Sequence, residues 1–311
     1  MKHSNIATNG INLHVVELGE GQPVLLCHGF PDTWRGWRRQ MEALADGGYR
    51  AIAVDMRGYG RSSAPTDEGV YTPFHTVGDL VGLLDVLKIS TVSIVGHDFG
   101  ADVAWNATMM RPDRFKAIFA ISVPFLPHGE TSFLEQLHSA GLDDFYMFQL
   151  MRAESDAVWD QARNPISSAL YWLSAAPPPE ERFDPFDPTR MFDRPAPMDV
   201  PPWADKEDVA FTTSEFRRTG FRGGLNYYRS IQPGFDLAAP FKGSLIYQPS
   251  FFVMGEADGL KELLSSSPDG LRECLPGLRG QIEIKGAGHW VQQEKPEAVN
   301  DALLGFLREI R

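Results

Sequence analysis

The stretch Thr91 to Trp105 (TVSIVGHDFGADVAW) constrains the fold more than any other part of the chain. Its first half, Val92 to Val95, is a short β-branched run with the apolar pattern of a strand buried on both faces. From Gly100 onward, Ala, Val and Trp fall at spacings that suit a helix packed on a sheet. Between the two lie Gly96, His97, Asp98, Phe99 and Gly100. Small residues two before and two after Asp98 permit a sharp strand-to-helix turn, in which any Cβ would collide with neighbouring backbone. Such a turn presents one reactive side chain, here Asp98.

Similar strand patterns recur along the chain. Residues Ile6 to Leu18 alternate around Asn9-Gly10, a hairpin signal. Buried strands are predicted at Pro23–Cys27, Tyr49–Val54, Phe115–Val123, Ser250–Gly255 and Gln281–Ile284. Phe74 to Leu87 and Pro296 to Arg311 carry apolar residues at helical spacing. Strands alternating with helices predict an α/β fold, a mostly parallel, doubly wound sheet. After Pro124 the pattern becomes aromatic and helical, broken by proline-rich connections around Pro177 and from Pro185 to Pro202. This reads as a helical cap domain (125–235) inserted over the C-terminal edge of a core domain formed by residues 1–124 and 236–311. Leu260 to Leu278 is expected to be a loop with one or two helical turns.

The net charge of −12 excludes the basic footprint of a nucleic-acid or anionic-membrane surface. Cys27 and Cys274 sit in unlike contexts, so no disulfide framework is expected. No stretch is apolar enough to span a bilayer, and none reads as a leader, which predicts a soluble, cytoplasmic protein. Monomer and homo-oligomer both remain open.

An aspartate at the apex of the turn selects the chemistry. A carboxylate attacks carbon without first losing a proton, and it forms an ester with the enzyme itself. Hydrolysing that ester requires a base to activate water and an acid to orient the base. The turn resembles the nucleophile elbow of the α/β-hydrolases with Asp98 in place of the usual serine. That resemblance implies the chain order nucleophile, acid, histidine, each partner following a late strand. Asp258, after FFVMG, and His289, after IEIKGAG, fill those places; Glu256 is read as a solvated loop acid. An alternative acid position after Val123 holds no carboxylate, and His3, His75, His128 and His138 follow no suitable strand. The backbone N–H groups of Phe30 and Phe99 are the expected oxyanion hole. His28 and His97 are read as structural, and Asp55 and Arg57 as a structural loop pair.

Taken together, HGFPDTW, DMRGYGRSS, VGHDFGADVAW, GFRGGLNYYRS, GEADG and GAGHWVQQEKPE resemble the soluble epoxide hydrolases of the plant and bacterial branch, across nearly the whole chain. The resemblance implies that Asp98 attacks an epoxide carbon while two cap tyrosines hydrogen-bond the ring oxygen. Tyr228, directly before Arg229, matches the second tyrosine, and Tyr146 in Asp144-Phe145-Tyr146 resembles the first. Tyr171 and Tyr227 are read as packing residues. One departure is Phe99, where the family often has Trp. A haloalkane dehalogenase would need halide donors where Phe30 and Phe99 stand, and a fluoroacetate dehalogenase arginines just after Asp98, where none occurs. A non-catalytic binding protein of the same fold is the reading of another class, disfavoured because no triad member is missing. Pro31, Met147, Phe148 and Trp290, with Phe30 and Phe99, are expected pocket walls for an apolar, uncharged epoxide. Water is the expected co-substrate, with no cofactor or metal.

Overall fold

The computed structural model describes residues 1–264 and 268–311. One eight-stranded sheet has the order β1-β2-β4-β3-β5-β6-β7-β8. Its strands are β1 (Lys2–Thr8), β2 (Ile11–Leu18), β3 (Gln22–Cys27), β4 (Tyr49–Val54), β5 (Val92–His97), β6 (Phe115–Ile121), β7 (Ser250–Gly255) and β8 (Leu278–Ile284). β1 and β2 form the expected hairpin: Asn9 (φ 46°) and Gly10 (φ 78°) make the two-residue turn that sets Thr8 opposite Ile11. β2 pairs antiparallel with β4, and every pairing from β4 to β8 is parallel.

Both faces of the sheet are covered. Along β3, Val24 and Leu26 enter one apolar cluster while Leu25 and Cys27 enter the other, as the two-residue period of a strand dictates. Helices α1 (Arg38–Asp46) and α13 (Pro296–Glu309) supply Met41, Leu44, Leu303 and Phe306 to the first cluster. Helices α2 (Pro73–Val86) and α3 (Phe99–Met110) supply Leu80, Leu84 and Trp105 to the second. α1 had no counterpart in the sequence reading; its charged first turn hides a buried stripe of only Gln40, Met41 and Leu44.

Between β6 and β7 the chain forms α4 (Phe133–Ser139), α5 (Tyr146–Leu150), α6 (Ser155–Gln161), α7 (Pro165–Trp172), α8 (Lys206–Thr219), α9 (Arg222–Arg229) and α10 (Ile231–Leu237). These helices pack over the loops that leave the carboxyl ends of β3, β4 and β5. Tyr227 Oη donates to Arg57 O at 3.0 Å, and Phe99 meets the Tyr228 ring at 4.7 Å. The approach is closest where α9 crosses the β4 loop: a Cβ on Gly223 would lie 2.1 Å from Gly58 O. Arg35 and Arg38 pin α8 through Asp208 and Asp205 at 2.8–3.0 Å. The boundary expected between residues 235 and 236 falls inside α10, which continues to Leu237.

Within Leu260–Leu278, α11 (Lys261–Leu264) and α12 (Pro268–Cys274) supply the expected helical turns, while Ser265 to Ser267 lie outside the described residues. Among the described residues no helix is long and apolar enough to cross a membrane. Cys27 and Cys274 are both buried and free.

Candidate active site

β5 runs directly into Asp98, whose backbone sits at φ 53°, ψ −125°, and α3 begins at the next residue. A non-glycine residue adopts this conformation only when its surroundings impose it. Here Asp98 O accepts from Ala101 N (2.9 Å) and Asp102 N (3.2 Å). A Cβ on Gly96 would lie 2.1 Å from Gly100 O, and one on Gly100 would lie 2.0 Å from Cys27 O. Only glycine fits at either place, so the turn is as tight as its sequence implied.

Asp98 Oδ1 accepts the Phe30 N–H at 2.7 Å, and Oδ2 lies 3.6 Å from His289 Nε2. The Phe30–Pro31 peptide is cis, and Pro31 is buried beside this donor. Phe99 is the first residue of α3, where a backbone N–H has no intrahelical acceptor. On the other side of the imidazole, His289 Nδ1 donates to Asp258 Oδ2 at 3.0 Å, and Asp258 Oδ1 accepts Leu260 N at 3.0 Å. The acid is thereby oriented from its own loop, and the histidine from the acid. Glu256 is exposed and accepts Gly286 N.

The histidine backbone is held on three sides. His289 N donates to Leu173 O (2.8 Å), while His289 O accepts from Ser122 Oγ (2.8 Å) and His97 Nε2 (2.9 Å). The Glu294 carboxylate accepts N–H groups from Ala175, Gly288 and Trp290 at 2.9–3.1 Å, tying the same loop to the end of α7. Ser122 and Glu294 were not singled out in the sequence. Glu294 lies within GAGHWVQQEKPE, where only His289 was given a catalytic role, and Ser122 directly follows β6, so neither side chain's part in holding the histidine could be read from its position.

Charge follows this geometry. Burial alone would lower the His289 pKa, but Asp258 and then Asp98 outweigh it and raise it to about 10. Burial would raise Asp98, yet the hydrogen bond and charge of His289 hold it below the ordinary value. The resting site is therefore an aspartate–imidazolium–aspartate array. Its stabilising effect is complete below the ordinary histidine pKa of about 6.5 and is lost as pH rises toward about 10. Accordingly, the urea midpoint of the wild-type protein should fall between pH 6.5 and 10, and that of His289→Gln should fall less.

His97 is neutral, because burial and the neighbouring His289 push its pKa down to about 3. His28 bridges Gly29 O and Met56 N and is structural, as read. Asp55 and Arg57 do not pair with each other as expected. Asp55 binds His14 (2.7 Å) and the N–H groups of Trp34 and Arg61, while Arg57 forms a buried bidentate pair with Asp79 at 2.6–2.8 Å. The chain turns at Arg57, directly after Asp55 leaves β4, so their side chains diverge.

Tyr146 and Tyr228 come together, their rings 6.2 Å apart, and Tyr228 stands edge-on to both Phe99 (4.7 Å) and Phe30 (5.6 Å). Neither hydroxyl has a protein hydrogen-bond partner among the described residues, and neither is sealed from solvent. Burial, with the charge of Asp98 adding to it, holds both phenols well above their ordinary pKa. Tyr227 is committed to Arg57 O, and Tyr171 stands edge-on to Trp172. Trp290, expected as a pocket wall, has no exposed surface. It packs behind His97 and His289 and donates its indole N–H to Ala169 O. Met147 and Phe148 are half-buried on α5, where the Phe148 ring meets Phe145.

Known proteins resemble the chain over its whole length. The family model of the alpha/beta hydrolase fold matches residues 22–296. An "Epoxide hydrolase" of Caballeronia sordidicola is 55% identical over 311 residues, covering 100% of this chain and 94% of its own. "Epoxide hydrolase 3" of Siraitia grosvenorii is 39% identical, with 99% of each chain covered. The crystal structure of Epoxide Hydrolase A from Mycobacterium thermoresistibile superposes with a TM-score of 0.91 at 36% identity, covering 100% of this chain and 99% of that one.

Proposed function

The chain belongs to the epoxide hydrolases of the α/β-hydrolase fold, and on that premise we propose that it converts an epoxide and water into a vicinal diol through an ester on Asp98. The observation that carries this reading is the pair of unpartnered phenols, Tyr146 and Tyr228, held protonated within the field of an ionised Asp98. Residues 125–235 act as a cap that brings those phenols to the nucleophile.

In the first half-reaction an Asp98 oxygen attacks a ring carbon, and the carbon–oxygen bond of the ring breaks. A tyrosine hydroxyl donates its proton to the departing oxygen. The product is a β-hydroxyalkyl ester. Esterification removes the Asp98 charge, which is one of the two charges that raise the His289 pKa. The imidazolium then releases its proton, through the tyrosinate or to solvent, and becomes a base. It takes a proton from water, the resulting hydroxide attacks the ester carbonyl, and the N–H groups of Phe30 and Phe99 receive the oxyanion. Collapse expels the diol alkoxide, which takes the proton from His289, and the Asp98 carboxyl group left behind passes its own proton to His289, restoring the carboxylate and the imidazolium. The Phe30, Phe99 and Tyr228 rings make the immediate surroundings of the ring apolar.

Single turnover in H2(18)O tests this route. Unlabelled enzyme in excess over styrene oxide should give a diol whose new oxygen is unlabelled and an Asp98-containing peptide that carries the label. Label in the diol on the first turnover would mean direct attack by water. Tyr228→Phe should slow ester formation ~100-fold, and the Tyr146→Phe/Tyr228→Phe double variant more than ~1,000-fold, as removal of a general acid implies. Rapid-quench mass spectrometry separates that loss from ester hydrolysis, which should change little.

A further inference from the structure

α3 turns a stripe of its surface to the same space. Phe99, Asp102 and Asn106 recur at intervals of three and four residues and so lie along one face, while Gly100, Ala101, Val103, Ala104 and Trp105 around them are buried. At the head of the stripe the Phe99 ring meets Tyr228 at 4.7 Å and Tyr227 at 5.4 Å. One turn further on stands Asp102, four residues from the nucleophile, or ~6 Å along the helix axis.

The Asp102 carboxylate accepts from Asn106 Nδ2 at 3.2 Å, and among the described residues no cation pairs with it. Its own surface is exposed, yet burial by surrounding protein, followed by the charge of Asp98, raises its pKa to about 6. The open face of Asp102 and the Phe99 ring that meets the tyrosines belong to one side of α3, so the space beside the nucleophile continues along the helix as a recess bordered by Asp102. At pH 8 the recess beside the nucleophile therefore holds a second, uncompensated negative charge. A helix-stabilising role in the first turn needs no such recess.

We propose that Asp102 is a specificity-determining residue, and that the recess it lines takes epoxides carrying a cationic ammonium group next to the ring. The ring itself sits against Phe30, Phe99 and the tyrosines, and the charged substituent lies along α3 toward Asp102. A substrate cation there offsets the repulsion between Asp98 and Asp102 that the empty site must bear. The apolar pocket expected from sequence thus has one polar end.

This inference rests on the epoxide hydrolase reading, and its test uses two epoxides of matched shape. These are (2,3-epoxypropyl)trimethylammonium, whose charge does not titrate, and its neutral isostere 1,2-epoxy-4,4-dimethylpentane. The ratio of their kcat/KM values at pH 8, cationic over neutral, cancels the catalytic steps that the two share. In both Asp102→Leu and Asp102→Asn the ratio should fall at least ~10-fold, with kcat/KM for the neutral epoxide rising in Asp102→Leu. Asp102→Asn keeps the volume and the Asn106 contact, so it guards against a folding defect in the leucine variant. A ratio within twofold of wild type, in a variant that still opens the neutral epoxide, would reduce Asp102 to a helix-stabilising acid and overturn the inference alone. Failure of the wild-type enzyme to open either epoxide would overturn the functional reading and this inference with it.

Discussion

Replacing His289 with glutamine should leave an enzyme that opens one epoxide per active site and then stops. The first half-reaction needs an ionised Asp98 oxygen and two phenols. Without His289, Asp98 loses the cation that holds its pKa down, but Phe30 N–H still orients it at 2.7 Å. The second half-reaction loses its base, because Asp258 lies on the far side of the imidazole, at Nδ1, away from the ester. Turnover should fall by ~10⁴ or more, in line with loss of an essential base in other triads. Intact-protein mass spectrometry should show one adduct with the mass of the whole epoxide. Sustained multiple turnover in this variant would remove His289 from the mechanism.

Asp98→Ala should be inactive at the earlier step, with turnover lower by ~10⁵ and no adduct at any time, even when combined with His289→Gln. The contrast between the two variants matters more than either loss alone. Both stop diol formation, but only the histidine variant gains mass. If both gain mass, the nucleophile lies elsewhere.

The elbow could be read from sequence because its glycines are required by backbone contact: Gly96 lies against Gly100 O, and Gly100 against Cys27 O. The acid and the histidine could be read because chain order fixes which loop each occupies, and the structure joins Asp258 and His289 at 3.0 Å. Partners set by side-chain direction were less visible. Asp55 and Arg57 are two apart in sequence, yet their partners His14 and Asp79 lie 41 and 22 residues away. Trp290 stands beside the catalytic histidine in sequence, but its ring turns inward to Ala169 O. The segment from α4 to α10 was legible only in outline. Its helices are mostly five to eight residues long, too short for periodicity, and aromatic contacts such as Phe30–Trp159 and Tyr146–Phe183 pack them. Asp102 was passed over because an acid in the first turn of a helix is ordinary.

The hydrogen bonds from His289 N to Leu173 O and from Ala175 N to Glu294 bear on protein engineering. Exchanging the helical segment between relatives is a natural way to alter which substrates are accepted. Here the donated segment would also have to present residues 173–175 in register with the histidine loop, because those three residues set the position of the base. A chimera that reproduces the tyrosines but misplaces this short seam should alkylate normally and stall afterwards, and its defect would be mistaken for poor substrate fit.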